Sequence, residues 1–380
     1  MRFVGFHLPL SAAVGAVAFL LAVCAGPASA QQFQNAVSYS THAAAPLAIA
    51  VGDFNNDGRL DLAVQCGTVL DIFFALQNGA FGKRVQTLTT GSEYAMAVAD
   101  FNRDGNADVV LAERSQSGMI SVLLGKGDGT FQPQVEYPTG ARYTAGAAVA
   151  DLNGDGVIDI VAINNNKQGS ASVFLGNGDG TFRSAMNYPV GPQARSVVIA
   201  DFNRDGVADL AVTAGTSVRV LIGVGDGTFL PHVDYPARFG ASGIAAADLN
   251  SDGKIDLAVA GANSQVVSVL LGNGDGTFAA KKDSPTGAAA SSIAVADFNH
   301  DGILDVLTNQ CDATCQVGAA GNVLLLLGNG DGTFQPPTLY PVGKVPDAVV
   351  AADFNRDGFP DVAVADYFSG TADVLLNTGQ

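Results

Sequence analysis

The chain is poor in charge and in the residue types that build most active sites. Among 380 residues there are no Trp, four Cys, four His and 19 Lys and Arg, against 36 Asp and Glu. The net charge of −17 excludes the basic face that a nucleic-acid-binding protein needs. The charged fraction of 14% and the apolar fraction of 48% exclude a disordered chain, which needs high charge and low hydrophobicity.

The first 30 residues have the pattern of a secretory signal peptide. Arg2 lies in a short leading region, an apolar run extends from about Leu8 to Cys24, and the small residues Ala28 and Ala30 suit signal peptidase. We predict cleavage after Ala30, a secreted or periplasmic protein, and no membrane span in the mature chain. A membrane anchor and a lipoprotein acylated at Cys24 are the alternatives, but the apolar run is short for a spanning helix.

Residues 31–380 consist of seven repeats of the motif Asp-x-Asn-x-Asp-Gly-x-x-Asp, spaced 47 to 56 residues apart. Short runs rich in Val, Ile and Leu flank each motif, and most repeats have a later Gly-Asp-Gly-Thr-Phe turn. This layout predicts four short antiparallel strands per repeat. Because four-stranded repeats of this period are typical of propeller blades, we predict an all-β fold, a seven-bladed β-propeller over residues 31–380.

The two ends of the chain predict how the ring closes. The last repeat ends before its fourth strand, whereas residues 33–39 are similar to the fourth-strand segment at residues 334–340. We expect the N-terminal strand to complete the seventh blade, since this closure leaves no exposed sheet edge.

The alternating Asp and Asn residues of each motif are predicted to bind calcium, about seven ions in all. Positions one, three, five and nine offer side-chain oxygens, position seven offers its backbone carbonyl, and Gly at position six permits a sharp turn. Hard oxygen ligands favour Ca²⁺ over Zn²⁺ or Cu²⁺, while Mg²⁺ gives up its waters reluctantly. The predicted ligands are Asp53, Asn55, Asp57, Arg59, Asp61, Asp100, Asn102, Asp104, Asn106, Asp108, Asp151, Asn153, Asp155, Val157, Asp159, Asp201, Asn203, Asp205, Val207, Asp209, Asp248, Asn250, Asp252, Lys254, Asp256, Asp297, Asn299, Asp301, Ile303, Asp305, Asp353, Asn355, Asp357, Phe359 and Asp361.

Two other interpretations of the motif compete with this one. An EF-hand needs an acidic residue at position twelve. That position holds Val64, Leu111, Ala162, Val212, Val259, Thr308 and Val364. Alternatively, Asp and Asn form capped turns without metal, but three neighbouring carboxylates in each of seven loops repel one another unless a cation is present. The loops hold 21 of the 36 acidic residues, so we interpret the acidity as a sign of metal binding.

The cysteines fit an exported protein. Cys311 and Cys315 lie in one loop and predict a small disulfide, because no second Cys or His pair accompanies them as a zinc site requires. Cys66 lies at the end of a predicted strand and is expected to be a buried apolar residue.

The repeats resemble FG-GAP/VCBS repeats, the type that builds the integrin α-subunit propeller and many exported bacterial proteins. The matching elements are residues 98–105, the strand at 209–212, and the turns at 175–182, 271–278 and 327–334. The resemblance implies calcium in the loops between the first and second strands of each blade and partner binding on the opposite face.

No catalytic constellation is apparent, so we do not predict an enzyme. His42, His232 and His300 are isolated from any Ser or Cys that they could activate. We predict a monomeric extracellular binding or adhesion module for a protein or glycan ligand; a lectin-like propeller is the alternative, followed by a polysaccharide-acting enzyme and a structural scaffold. Aromatic and Arg side chains in the loops opposite the motifs are the candidate contacts. They are Tyr94, Arg142, Tyr143, Arg238, Phe239, Tyr367 and Phe368.

Overall fold

A computed structural model describes residues 32–42, 45–91, 93–237, 240–310 and 320–379. The predicted signal at residues 1–30, Arg238, Phe239 and the pair Cys311 and Cys315 lie outside the described residues. No helix in the described part of the chain is long and apolar enough to cross a membrane.

The described residues form 28 strands in seven sheets of four, which we call blades 1 to 7 in chain order. The first strand, β1 (Val37–Ser40), belongs to blade 7. Blade 1 consists of β2 (Pro46–Gly52), β3 (Asp61–Cys66), β4 (Val69–Ala75) and β5 (Phe81–Leu88). Blade 2 consists of β6 (Glu93–Ala99), β7 (Asp108–Glu113), β8 (Met119–Leu123) and β9 (Val135–Pro138). Blade 3 consists of β10 (Thr144–Ala150), β11 (Asp159–Asn164), β12 (Ser170–Phe174) and β13 (Met186–Pro189). Blades 4 and 5 consist of β14 (Ala194–Ala200), β15 (Asp209–Ala214), β16 (Ser217–Leu221) and β17 (Val233–Pro236); and β18 (Ala241–Ala247), β19 (Asp256–Gly261), β20 (Val266–Leu270) and β21 (Lys282–Pro285). Blades 6 and 7 consist of β22 (Ile293–Ala296), β23 (Asp305–Gln310), β24 (Gly321–Leu326) and β25 (Thr338–Val342); and β26 (Pro346–Ala352), β27 (Asp361–Asp366) and β28 (Thr371–Leu375) with β1.

The ring closes as the sequence predicts. Strand β1 pairs antiparallel with β28, with Val37 opposite Val374 and Ser40 opposite Thr371. The inner strand β26 also contacts β2, so blade 7 packs against blade 1. Blade 7 therefore has four strands, as each of the other blades has.

Burial changes from the axis to the rim of each blade. The second strands, such as β15, are buried along their whole length, whereas the fourth strands, such as β17, are largely exposed. The inner strands are rich in small residues because they crowd together around the axis. At Gly146 an added Cβ would lie 2.6 Å from the backbone oxygen of Arg195, so only glycine allows blades 3 and 4 to approach this closely.

The hydrophobic core lies between blades rather than inside them. Seven clusters of buried side chains each join two neighbouring blades. The residue at position two of each Asp motif takes part in these clusters and is at most 2% exposed. Phe202 of blade 4, for example, packs edge to face on Phe278 of blade 5, with ring centroids 5.4 Å apart. A single blade therefore cannot bury its apolar faces alone.

Cys66 behaves as the sequence predicts. It ends β3 and is fully buried. Burial raises the pKa of its thiol to about 12, which makes it an unreactive core residue.

Candidate functional site

The seven Asp motifs form loops at one end of the ring, each joining the first strand of a blade to the second. We call these the Asp loops. Gly at position six has φ between 75° and 92°, which favours glycine. Position four is also left-handed, with φ between 56° and 72°, although three loops have Arg there. The sequence does not mark position four, because four of the seven loops have Arg or Ser there, which show no preference for this conformation.

The side chains at positions one, three and five curl each loop around its own backbone. In the loop of blade 4, the Oδ2 atom of Asp201 accepts a hydrogen bond of 2.9 Å from the amide of Gly206. Asn203 Oδ1 accepts from the amide of Asp205, and Asp205 Oδ1 accepts from the amide of Val207. All seven loops repeat these three bonds. The loop shape is therefore common to every blade.

The aspartate at position nine connects each loop to the segment that follows the third strand of its blade, at the same end of the ring. Asp209 is fully buried; its Oδ2 accepts from the amide of Phe202 at 2.9 Å, and its Oδ1 accepts from the amide of Gly223 at 2.7 Å. The same pair of bonds occurs in the other six loops. The sequence motif predicts only a metal ligand at this position. In the structure it also has a stabilising role, because its carboxylate accepts hydrogen bonds from two buried amides that would otherwise lack partners.

The pKa of the aspartate at position nine reflects both its burial and charge repulsion within the Asp loop. Burial raises the pKa of this carboxyl, and the charges at positions five and one raise it further. The pKa reaches about 6 for Asp61, Asp108, Asp256, Asp305 and Asp361. Backbone hydrogen bonds oppose the rise but do not cancel it. Three carboxylates thus lie close enough to repel.

The donor chemistry of the Asp loops fits a hard cation such as Ca²⁺, because each offers carboxylate, amide and backbone oxygens. As the side chains stand, no three His, Cys, Asp or Glu groups in the described ranges converge into a metal cage. Two loops also contain a cation from the chain itself. Arg59 lies 2.6 Å from Asp57, and Lys254 lies 3.1 Å from Asp252.

The opposite end of the ring differs from blade to blade. Of the candidate contact residues, Tyr143 and Phe368 are 38% and 42% exposed. Tyr367 packs edge to face on Phe368 at 4.8 Å, and Arg142 is exposed beside Tyr143. The structure describes only the backbone of Tyr94. Aromatic and basic groups are therefore available on this face.

A polar cavity of about 440 Å³ opens on the axis at this same end. Residues from the inner strands of all seven blades line it, together with Arg114 and Asn165 from neighbouring turns. Its charged lining residues, within the described part of the chain, are Arg114, Arg195 and Asp347. No sequence motif marks these three, because only the closed ring brings blades 2, 4 and 7 to a common axis.

Similar solved structures share this architecture. A lectin of Agrocybe aegerita, described as recognising non-reducing terminal N-acetylglucosamine, is 20% identical, with a TM-score of 0.56 over 88% of this chain and 86% of its own. Two structures of BBS1N in complex with ARL6DN are 11% and 12% identical, each with a TM-score of 0.62 over 91% of this chain and 97% of its own. At these identities the likeness supports the fold alone. No curated protein sequence matches the chain.

A family model settles the relationship that the motifs suggest. The FG-GAP-like repeat matches residues 100–162, 151–212, 208–259, 248–308 and 314–364. These segments cover well over half of the chain, and four of the five begin within an Asp loop. The chain belongs to the FG-GAP-like repeat family.

Proposed function

We propose that this protein is an exported binding module, in which calcium in the seven Asp loops stabilises a rigid ring and the opposite face holds an extracellular glycan or protein ligand. The observation that carries the proposal is the difference between the two ends. One end repeats the same acidic loop seven times, while the other presents exposed aromatic side chains and an axial cavity. A uniform end suits structural ions, and a varied end suits recognition.

In blade 4, calcium would be held by Asp201, Asn203, Asp205 and Asp209, whose side chains now accept hydrogen bonds from the backbone, together with the carbonyl of Val207. A bound ion supplies positive charge that offsets the repulsion among the three carboxylates. The seven loops are not equivalent: Arg59 and Lys254 already neutralise part of the charge at position five in blades 1 and 5, so these two loops should bind calcium most weakly.

Calorimetric titration of calcium into chelator-treated mature protein tests the structural half of the proposal. About seven ions should bind, and five should bind more tightly than the remaining two. The variant Lys254→Ala should strengthen one of the weak sites, while Lys126→Ala, outside the Asp loops, should leave the titration unchanged. Binding of no calcium would contradict the proposal.

A lectin-like activity is the second candidate function. The face opposite the Asp loops has both the exposed aromatic rings of Tyr143 and Phe368 and a polar cavity. This combination favours a lectin, since aromatic faces stack on sugar rings and polar groups bond to hydroxyls. The lectin of similar fold recognises a sugar according to its description. Catalysis has no comparable support: His300 packs on Phe359, with ring centroids 4.2 Å apart, and the Asp loops hold most of the carboxylates.

Glycan arrays and purified extracellular matrix proteins, probed with calcium-loaded protein, test the recognition half. Binding should fall in the double variant Tyr143→Ala/Phe368→Ala. The matched control Leu230→Ala removes an exposed apolar side chain near the Asp-loop end and should have no effect. Binding that survives the double variant would place recognition elsewhere.

Export is proposed from the N-terminal sequence pattern and the cysteine pair. Mass spectrometry of the mature protein should find Gln31 as the first residue. Peptide mapping without reduction should find Cys311 linked to Cys315. An N-terminus at residue 1 in protein from the native host would contradict export by this signal.

A further inference from the structure

The side chain at position four of an Asp loop reaches the Asp loop of the next blade. The guanidinium of Arg204 in blade 4 donates a hydrogen bond to the carbonyl oxygen of Gly253, at position six of the blade 5 loop. Arg103 of blade 2 donates in the same way to the carbonyl of Asp155 in blade 3, with 3.4 Å between the two atoms. Asn56 of blade 1 donates from its side-chain amide to the side chain at position seven of blade 2, at 2.7 Å. At these three junctions, position four therefore connects two neighbouring loops.

A backbone hydrogen bond crosses the same three junctions in the opposite direction. The amide of Gly276, in the turn after the third strand of blade 5, donates to the carbonyl of Phe202 in the blade 4 loop at 3.0 Å. The equivalent bonds run from Gly180 to Phe101 at 3.3 Å and from Gly129 to Phe54 at 2.8 Å. Each accepting carbonyl belongs to position two, between the proposed ligands at positions one and three. The next blade therefore restrains the backbone that carries those ligands.

Two other junctions have neither of these contacts. Between blades 3 and 4 and between blades 5 and 6, no hydrogen bond from position four or from the turn glycine joins the loops, among the residues that the structure describes. Position four holds Gly154 in blade 3 and Ser251 in blade 5, and position two holds Leu152 and Leu249 instead of Phe. Gly has no side chain, and the side chain of Ser is much shorter than that of Arg. Blades 1 to 3 therefore form one connected group of loops, and blades 4 and 5 form another.

The backbone conformation at position four makes Arg a costly residue there. The φ angle is 63° at Arg204 and 60° at Arg103, against 72° at Gly154. Glycine adopts such angles freely, whereas a residue with a Cβ atom does so at a steric cost. Strain of this kind persists where surrounding contacts hold the residue in place. The bond to the next loop is such a contact, and it gives a physical reason for Arg at this position.

We infer that position four couples neighbouring Asp loops, so that calcium binds cooperatively within blades 4 and 5 and within blades 1 to 3. Across the junctions of blades 3 and 4 and of blades 5 and 6, binding is independent. The inference rests on the proposed function, because it concerns how the proposed calcium sites influence one another.

Coupling follows from the order that each contact imposes on the next loop. When Asp201 and its neighbours hold an ion, the backbone that carries Arg204 is fixed. Arg204 then restrains the peptide between Gly253 and Lys254, and the carbonyl of Lys254 is a proposed ligand in blade 5. Less conformational freedom remains to be lost when the blade 5 loop binds its own ion, so that ion binds more tightly. Arg204 is a positioning residue, since it acts on the blade 5 site through Gly253.

Calcium titration followed by NMR of mature protein, isotope-labelled at the glycine amides, resolves the single sites. The position-six amide of each loop donates to the aspartate at position one and therefore reports on its own site. Asp201→Ala removes a proposed ligand from blade 4 and should weaken calcium binding in blade 5, followed at Gly253, by roughly five-fold. The matched control Asp151→Ala removes the same ligand from blade 3. It should leave binding in blade 4, followed at Gly206, unchanged, because Gly154 has no side chain to reach that loop.

Arg204→Gly keeps the inference testable if Asp201→Ala fails to fold, since it removes no proposed ligand and introduces the residue that blade 3 has at this position. It should weaken calcium binding at Gly253 several-fold and reduce the effect of Asp201→Ala on blade 5. Arg204→Lys keeps the charge and should restore part of the lost affinity. The matched control Ser251→Gly, at position four of blade 5, should leave the blade 6 site, followed at Gly302, unchanged.

The charge of Arg204 also repels a nearby ion, but the side chain is exposed, and salt screens exposed charges over about 8 Å at 0.15 M. Its hydrogen bond should therefore outweigh the repulsion. Tighter calcium binding in blade 5 of Arg204→Gly, equal coupling at the junctions of blades 3–4 and 4–5, or no coupling at either junction would overturn the inference. In each of these cases, glycine signals that still shift with calcium leave the proposed function intact. If no glycine signal of the wild type shifts, the proposed function is contradicted and the inference with it.

Discussion

The two ends of the ring differ in how closely their residues repeat from blade to blade. At the Asp-loop end, every blade repeats the same turn, the same four carboxylate and amide side chains and the same ties to the backbone. At the other end, the equivalent positions at the close of the second strand hold Cys66, Glu113, Asn164 and four further residue types. Position two of the Asp loop also packs between neighbouring blades, so a change there disturbs the interface between two blades. The residues at the opposite end of the ring have no such shared structural role, so they can differ from blade to blade.

Removal of the proposed calcium ions should have the largest effect on this contrast. With millimolar calcium and a dissociation constant of about 10⁻⁴ M, one site stabilises by roughly 1.4 kcal/mol, and seven sites by about 10 kcal/mol. Chelation should therefore lower the melting temperature by tens of degrees, or unfold the ring. Magnesium at the same concentration should restore much less stability. A melting curve that chelator does not move would show that the Asp loops hold their shape through hydrogen bonds alone.

Removal of a position-nine carboxylate should have the next largest effect. Asp209→Ala leaves two buried amides without partners, which should cost about 2 kcal/mol or more. Denaturant unfolding in the presence of chelator separates this cost from any loss of metal. The control Asp226→Ala removes an exposed turn residue whose Oδ1 accepts only from Thr228, and should cost about 0.5 kcal/mol. Equal losses of stability in the two variants would show that the two hydrogen bonds of Asp209 do not stabilise the fold.

The far end contains a buried acidic pair that should weaken the protein as pH rises. Neither oxygen of Asp366 has a hydrogen-bond partner among the described residues, and the residue is fully buried. Burial and the neighbouring Asp373 hold its pKa well above the usual range. The folded state therefore keeps a proton that the unfolded chain releases above about pH 4, so this group reduces stability progressively as pH rises.

Asp366→Asn should remove this pH dependence and stabilise the protein by on the order of 1–3 kcal/mol at pH 8, with little gain at pH 4. Asp71 in blade 1 is the matched control. It is also buried, but the amide of His42 and the side chain of Gln86 donate to it. Asp71→Asn should destabilise the protein at both values of pH. Unfolding curves at pH 4 and pH 8 distinguish the two, and a loss of stability in Asp366→Asn at pH 8 would contradict the assignment.

The sequence predicted the fold because every signal for it is local and repeated. The nine-residue motif, the turns and the strand similarity between residues 33–39 and 334–340 gave the number of blades and the closure of the ring. The second task of position nine was not predicted, since Asp209 meets Gly223 only after 14 residues of hairpin. The axial cavity was not predicted either, because Arg195 and Asp347 come from blades that are remote in sequence. Contacts that depend on ring geometry leave no periodic signal.

The smallest expected effect concerns the aromatic contacts between blades at the Asp-loop end. Phe202 packs on Phe278 of the next blade, whereas blades 3 and 5 have Leu152 and Leu249 at the equivalent position, both almost fully buried. Leu is therefore tolerated there, and Phe202→Leu should lose the edge-to-face contact and some apolar area, about 0.5–1.5 kcal/mol. Chemical denaturation with calcium bound measures this loss. A loss several times larger, with calcium sites in blades 4 and 5 weakened together, would mean that the interface also sets the geometry of the Asp loops, and that the uniform end behaves as one coupled unit rather than seven.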